Sequence, residues 1–246
     1  MDQTGYVLLS RASAMLRATD VLATNMANAD TPAFRANRPV FATQLQQQRN
    51  VRTAVGGQPV AYALDRATWR DGASGPLSTT GNPLDVAING PGFFAVETPR
   101  GERFTRAGRF TLGGDGRLMD MEGNAVLDTG GRPITFAPND SRIEILGDGT
   151  VRTENGQVGK LRVVRFADEQ SMQAEGNRLY ATEQQPETVA RPNLLQGSLE
   201  GSNVNSVLEM TRLTSDVRAF QMVAQFMETE GKRSSDAVSR ILGRAA

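Results

Sequence analysis

The stretch LDVAINGPGFFAV, residues 84–96, decides the fold class, because two short apolar runs flank a turn. Leu84–Ile88 is followed at once by Asn89-Gly90, and Phe93–Val96 comes next. Asn-Gly between alternating segments is a strong local hairpin signal, since a type I′ turn needs positive φ at both central residues. The stretch therefore predicts two strands joined by a tight turn.

The same two-residue period continues on both sides of this stretch. Phe110–Leu112 leads into GGDG at 113–116, and residues 143–146 meet Gly-Asp-Gly at 147–149. The run LRVVRF at 161–166 closes the series. Short alternating runs separated by glycine turns are typical of antiparallel sheets. We predict a central antiparallel β domain over residues 81–190.

Both ends of the chain carry helical periodicity instead. In the N-terminal segment, bounded at 1–34, apolar and small residues recur at alternating spacings of four and three, and the pre-proline stretch 28–32 ends the helix. In the C-terminal segment, bounded at 191–246, a similar stripe repeats. Possible N-caps are Ser202, Asn203, Asn205 and Ser206, and Ser206 with Glu209 fits a capping box. Residues 35–80 lack sustained periodicity, so we predict an extended connection with one hairpin at most.

These three zones predict an α+β fold, in which the N- and C-terminal helices pair as a coiled-coil-like inner domain. Long helices with apolar stripes usually bury them against partners, which favours association between chains. The alternative is that both helices pack onto their own β domain. The predicted packing residues of the two stripes are Leu9, Ala12, Leu16, Ala23 and Met26, then Met210, Leu213, Val217, Phe220, Ala224 and Met227.

The composition excludes most enzyme chemistry. The 246 residues contain no histidine and no cysteine, so His-based triads, thiol nucleophiles and the usual zinc sites cannot form. Lys+Arg and Asp+Glu both number 27, which gives no basic footprint for nucleic acid. No apolar run is long enough to cross a membrane, and the first residues lack the basic region of a cleaved signal peptide.

The remaining candidate sites have simpler explanations. Asp115 and Asp148 both precede glycine in turns, so turn formation explains them better than acid–base catalysis. Gly90–Gly92 lacks both the dinucleotide and the P-loop pattern. The dispersed arginines suggest a solvated, salt-bridged surface, and alternating strand faces explain the basic and aromatic run 104–110. We expect no catalytic residue, no cofactor and no metal ion.

Three motifs carry a resemblance to a known family. They are NMANADTPAF at 25–34, the pair NPLDVAINGPGFFAV at 82–96 and FTRAGRF at 104–110, and LEGSNVNSVLEM at 199–210 followed by RAF at 218–220. In this combination the chain resembles the flagellar rod and hook axial proteins. It departs from the family pattern at Ala33, where glycine is usual, which predicts a different turn geometry.

The resemblance implies a structural subunit of the flagellar basal-body rod that helps transmit motor torque to the hook and filament. Its terminal helices would form an inner layer, and the motif after the first helix with the connection that follows would set the geometry between subunits. The implied subunit-packing residues outside the two stripes are Asn28, Thr31, Phe34, Asn203 and Asn205. The implied partners are itself, other proximal-rod subunits, the distal-rod protein and the flagellar type III export apparatus, without nucleic acid or membrane insertion. Export would need no cleaved signal peptide, and the implied location is the periplasmic rod.

Within the family, the length and the tyrosine-bearing start favour a proximal-rod subunit over a distal-rod or hook subunit. Two hypotheses from other classes remain. A secreted carboxylate-dependent enzyme acting on cell-wall glycan would show a converging acidic cleft in the β domain. A soluble oligomeric binding module would show a concave ligand pocket.

Overall fold

The computed structural model describes residues 3–46 and 60–242, and it confirms an α+β fold with two helices and a mostly antiparallel β portion. Helix α1 spans Gln3–Ala27 and helix α2 spans Ser206–Leu242. The strands are β1 Asn37–Gln46, β2 Val60–Arg70, β3 Leu77–Thr79, β4 Val86–Ile88, β5 Phe93–Thr98, β6 Gly101–Thr105, β7 Phe110–Leu112, β8 Leu118–Asp120, β9 Ala125–Val126, β10 Glu144–Ile145, β11 Thr150–Thr153, β12 Gly156–Lys160, β13 Val163–Arg165, β14 Gln173–Ala174, β15 Leu179–Ala181, β16 Glu187–Thr188, β17 Leu194–Gln196 and β18 Ser198–Glu200.

The chain divides into two compact units. The first, here called the helical unit, contains α1, the β1–β2 pair and α2. The second, here called the β unit, contains residues 28–36 and 71–204. None of the helices among the described residues is long and apolar enough to cross a membrane.

In the helical unit, α1 contacts α2 and both strands of an antiparallel ribbon. The ribbon runs from the Asn37–Arg70 pair to the Gln46–Val60 pair, with a bulge at Val40/Phe41. A two-stranded ribbon is marginally stable alone, so the contact with α1 stabilises it. This ribbon is the hairpin that the sequence allowed within 35–80, although its connecting residues 47–59 lie outside the described part of the chain.

Of the four N-cap candidates in the sequence, helix α2 uses Asn205. The predicted capping box of Ser206 and Glu209 is wrong. The Oδ1 atom of Asn205 accepts a hydrogen bond from the Leu208 amide at 3.1 Å, so Asn205 is the N-cap. The Glu209 side chain is fully buried and binds Asn25 and Arg38 instead. A buried carboxylate needs several strong donors, and those two side chains supply them.

The β unit is built on a nine-stranded antiparallel sheet whose central strand is β5. Strand order along the main path is β14-β15-β6-β5-β9-β8-β7, and β13 pairs with both β5 and β16. Smaller sheets are β10-β11-β12, β17-β4 and β18-β3. One apolar core contains Val86, Phe94, Phe110 and Leu161, and a second contains Phe93, Phe104, Phe166 and Tyr180.

Two of the three predicted hairpin turns join paired strands. The glycine turns at 113–116 and 147–149 connect β7 to β8 and β10 to β11, which confirms both. The Asn89-Gly90 hairpin is wrong, because β4 pairs with β17 and β5 pairs elsewhere. Gly90 and Gly92 adopt φ of +128° and +136°, and Pro91 lies between them, so the link carries the chain into a different sheet.

Candidate assembly surfaces

On α1, the predicted stripe faces away from the interior of the helical unit. Leu9 and Leu16 are 52% and 53% exposed, and Ala23 is also exposed. The buried side of the helix holds Val21, Leu22 and Asn25. At about 100° per residue, Leu16 lies roughly 180° around the helix from Asn25. The remaining stripe residues, Ala12 and Met26, are half-buried.

On α2, the buried face lies one residue earlier than the predicted stripe. Glu209 and Val223 are buried, whereas Met210 is 57% exposed and Val217 is 41% exposed. This one-residue offset rotates the face by about 100°. Ala224 is exposed as well, and Leu213, Phe220 and Met227 are half-buried. Both helices thus keep apolar side chains outside the contacts that they make within the chain.

A further apolar surface on α2 was missed by the heptad pattern. Val207 and Met222 are 78% and 64% exposed, and together with Met210 they border a shallow groove along the helix. Phe226, one turn after Met222, is half exposed. The sequence contains a signal for this surface, because Met222 and Phe226 are four residues apart and therefore neighbours on the helix, outside the predicted stripe.

A polar cluster centred on two fully buried residues, Asn25 and Glu209, connects three elements of the helical unit. Asn25 on α1 donates from Nδ2 to the Asn37 carbonyl at 2.9 Å and accepts from the Asn37 amide at 2.9 Å. The same Nδ2 donates to Glu209 Oε2 at 3.2 Å. Glu209 Oε1 accepts from Arg38 at 2.5 Å and from Arg212 at 3.1 Å. We call these five residues the polar cluster.

In the β unit, a buried ion pair joins the second and third motifs of the sequence. Arg106 and Glu200 side chains are each 1% exposed, and Arg106 Nη2 lies 2.6 Å from Glu200 Oε2. Burial lowers the pKa of the Arg106 guanidinium, and the charge of Glu200 opposes that shift. The surface assignment of this arginine from the sequence is wrong, because its guanidinium also donates to the carbonyls of Gly90 and Gly92.

The motif at 25–34 continues into this unit with a tight turn. Thr31 donates to the Asn28 side chain at 3.2 Å, and the half-buried Phe34 donates its amide to the Thr31 carbonyl. Ala33 has a φ of +60° and is 3% exposed, and its amide donates to the Glu200 carbonyl at 2.8 Å. Alanine thus adopts a left-handed conformation that favours glycine, and the difference from the family's turn geometry stays a prediction.

Asn203 uses its whole amide group inside the β unit. Its Oδ1 accepts from the Ala36 amide at 2.7 Å, and its Nδ2 donates to the carbonyls of Asp71 and Ala73 at 3.2 and 2.9 Å. These backbone groups belong to irregular segments, which lack ladder partners. The role of Asn28, Thr31, Phe34, Asn203 and Asn205 between subunits stays a prediction.

Several carboxylates that could have served an enzyme shape turns instead. Asp115 accepts from the Arg117 amide, and Asp148 accepts from the Thr150 amide and hydroxyl. Glycines 116 and 149 follow with φ of +78° and +89°. These contacts confirm the turn interpretation. Among the described residues, no group of three or more acidic side chains is placed to hold a metal ion.

Comparison with known proteins agrees with this architecture. The family model "Flagellar hook protein FlgE/F/G D1 domain" matches residues 87–153, and "Flagellar basal body rod FlgEFG protein C-terminal" matches residues 195–240. The flagellar basal-body rod proteins FlgF of Caulobacter vibrioides and Mesorhizobium japonicum are each 37% identical and cover 98% of both chains. The rod protein FlgG of Buchnera aphidicola is 29% identical, covering 85% of this chain and 88% of its own.

Two long helices with outward apolar faces and a β unit stabilised by internal ion pairs define a structural protein. The chain belongs to the FlgE/F/G family of flagellar rod and hook proteins. It is a structural subunit of the flagellar basal-body rod and not an enzyme.

Proposed function

We propose that this chain is a proximal-rod subunit that polymerises through its terminal helices, which pair in a coiled-coil-like inner layer. The sequence is more similar to FlgF relatives, at 33–37% identity, than to FlgG relatives, at 28–29%. A distal-rod position is the second candidate within the family. The β unit would form the next layer outward, and the assembled rod would transmit torque to the hook and filament.

The exposed leucines of α1 are the observation that carries this proposal. Leu9 and Leu16 are seven residues apart, so they lie on one face of the helix, and both remain about half exposed in the single chain. Met210 and Val217 repeat the arrangement on α2. Apolar faces at heptad spacing pack well against other helices, and burying them between subunits would stabilise the polymer.

The partners follow from the same family relation. We propose assembly with further copies of this chain and with other rod and hook proteins. Passage through the flagellar type III apparatus without cleavage, and residence in the periplasmic part of the basal body, belong to the same proposal. Neither nucleic acid binding nor membrane insertion forms part of it.

The test is Leu16→Asp. In the isolated chain this change removes about half of a leucine's burial and some helix propensity, so we expect a loss of about 1–1.5 kcal/mol and a folded protein. In cells we expect loss of motility and of the protein from purified basal bodies, because a charge would enter an apolar contact. Leu112→Asp, at a leucine of similar exposure in the β unit, is the matched control and is expected to keep motility. Normal incorporation of Leu16→Asp would refute the proposed packing face.

A further inference from the structure

In the polar cluster of the helical unit, hydrogen-bond donors on α1 and β1 match the acceptor oxygens of Glu209 on α2. Both Glu209 oxygens accept hydrogen bonds, from Asn25 on one side and from Arg38 and Arg212 on the other. A carboxylate is an acceptor at both oxygens, whereas a glutamine would present a donor to one side. Glu209 and Asn25 are both 0% exposed, so water cannot replace a lost partner without opening the unit.

The cluster also links the two helices to the ribbon at one position along the helix axes. Asn25 is held by two hydrogen bonds to the backbone of Asn37 at the start of β1, and Arg38 is the next residue of that strand. Moving α2 along α1 by one turn displaces Glu209 by about 5.4 Å. The carboxylate would then be buried away from Asn25 and Arg38 and would keep only Arg212 of its own helix, which is a costly arrangement for a charge in a protein interior.

The apolar residues of the two helices favour one register of α2 along α1 much less strongly than the polar cluster does. The buried apolar residues of the two helices, Val21, Leu22 and Val223, are stabilised by non-directional burial, which depends little on register. Several members of the α1 surface are alanines, whose small side chains fit many neighbours. A polar group at one position of an otherwise apolar helix contact is a known means of selecting one register at some loss of stability.

We infer that Asn25, Arg38 and Glu209 are positioning residues that fix the register of α2 on α1 within one chain. The register sets the relative heights of the exposed faces at Leu9/Leu16 and Met210/Val217. The consequence for assembly rests on the proposed function, whereas the register itself is a property of the single chain.

The absence of native cysteine makes a distance measurement straightforward. Ser13→Cys and Gln225→Cys, both exposed, carry nitroxide labels on α1 and α2 of the full chain, and pulsed electron paramagnetic resonance measures their separation. We expect one narrow distance for the otherwise unchanged protein. Glu209→Met and Glu209→Gln should each add populations displaced by about one turn, roughly 5 Å. Asn25→Leu should do the same from the α1 side, whereas Glu209→Asp should keep the original distance as the main population.

Val223→Ala is the control for stability alone, because Val223 is buried in α2 and carries no polar group. It should lower the melting temperature and leave the single distance unchanged. The inference is overturned if Glu209→Met keeps the narrow distance, if Val223→Ala broadens it equally, or if the parent protein is already broad. These results concern the isolated chain, so they are separate from the motility outcome of Leu16→Asp.

Discussion

Replacing the buried ion pair of the β unit in a double-mutant cycle tests how that unit is stabilised. Glu200 accepts from Arg106 Nε at 2.8 Å and from Nη2 at 2.6 Å, and its other oxygen accepts from the Gly75 amide at 3.2 Å. The cycle consists of Glu200→Met, Arg106→Met and the double variant. Methionine carries no charge; it matches the length of glutamate and is shorter than arginine.

Each single substitution leaves one buried charge without its counterion, which costs about 3–5 kcal/mol. The sum for two independent sites would then be roughly 6–10 kcal/mol. In the double variant no charge remains buried, and the loss is limited to backbone groups that lose a partner, at roughly 1 kcal/mol each. These groups are the Gly75 amide and the carbonyls of Ile88, Gly90 and Gly92. We therefore expect the double variant to lose about 3–4 kcal/mol, with a coupling energy of at least about 2 kcal/mol.

The assay is guanidinium unfolding of the full chain followed by circular dichroism. The fluorescence of Trp69, the only tryptophan, reports separately on the helical unit. Glu187→Met is the matched control, because Glu187 accepts two similarly short hydrogen bonds from Arg165, at 2.9 and 2.7 Å, at the exposed surface. Solvent screening should make that change far smaller. Additive losses at Arg106 and Glu200 would refute the reasoning, since independent sites do not couple.

Substitutions at two further positions test local features of the β unit. Ala33→Gly should change the free energy of unfolding by less than about 1 kcal/mol. Removing the left-handed alanine relieves about 1–2 kcal/mol of strain, but the variant also loses a buried methyl group and gains a more flexible unfolded chain. Ala33→Val should clearly lower the melting temperature, and an unchanged melting temperature would contradict this. Hydrogen bonds from the Ser141 hydroxyl and amide and from the Arg142 amide lower the pKa of Glu154 to about 2. The ionised Glu154 therefore stabilises the folded chain above the unfolded pKa of 4.5, and this contribution is lost as the pH falls toward 2. In thermal unfolding, Glu154→Gln should therefore be less stable than the parent at pH 7, and the gap should close across that window; a gap independent of pH would contradict the assignment.

The sequence predicted local structure well wherever the signal is local. Helix α1 ends at Ala27, just before the pre-proline stretch, and the Gly-Asp-Gly turn at 147–149 joins two paired strands as expected. Proline and positive-φ glycine act through their own backbone, so their effect is readable without the rest of the fold. The Asn89-Gly90 hairpin failed because strand partners are chosen by tertiary packing: β4 pairs with β17, more than a hundred residues later.

The faces of the helices could not be read from periodicity alone. On α1, apolar residues occur both at Val21–Leu22 and at Leu9 and Leu16, and only the first pair is buried within the chain. A stripe identifies the residues that avoid water and leaves open which neighbour covers them. The buried side is selected by the ribbon and by the polar cluster, which involve residues far apart in sequence, such as Asn25 and Glu209.

The buried polar side chains of the β unit satisfy backbone groups that have no partner in a strand ladder. Their role is in folding, and it differs from the role of the exposed apolar residues in assembly. Irregular segments cannot satisfy their backbone groups by ladders, so side chains must do it. Asn203 does this for Ala36 and Asp71, and Arg106 does it for the loop at 88–92. Substitutions at such residues should first destabilise the β unit. The exposed Leu16 contributes little to the stability of the single chain, so its substitution should first affect contacts with other subunits. Comparing the monomer stability and the rod incorporation of the two classes of variant distinguishes these roles.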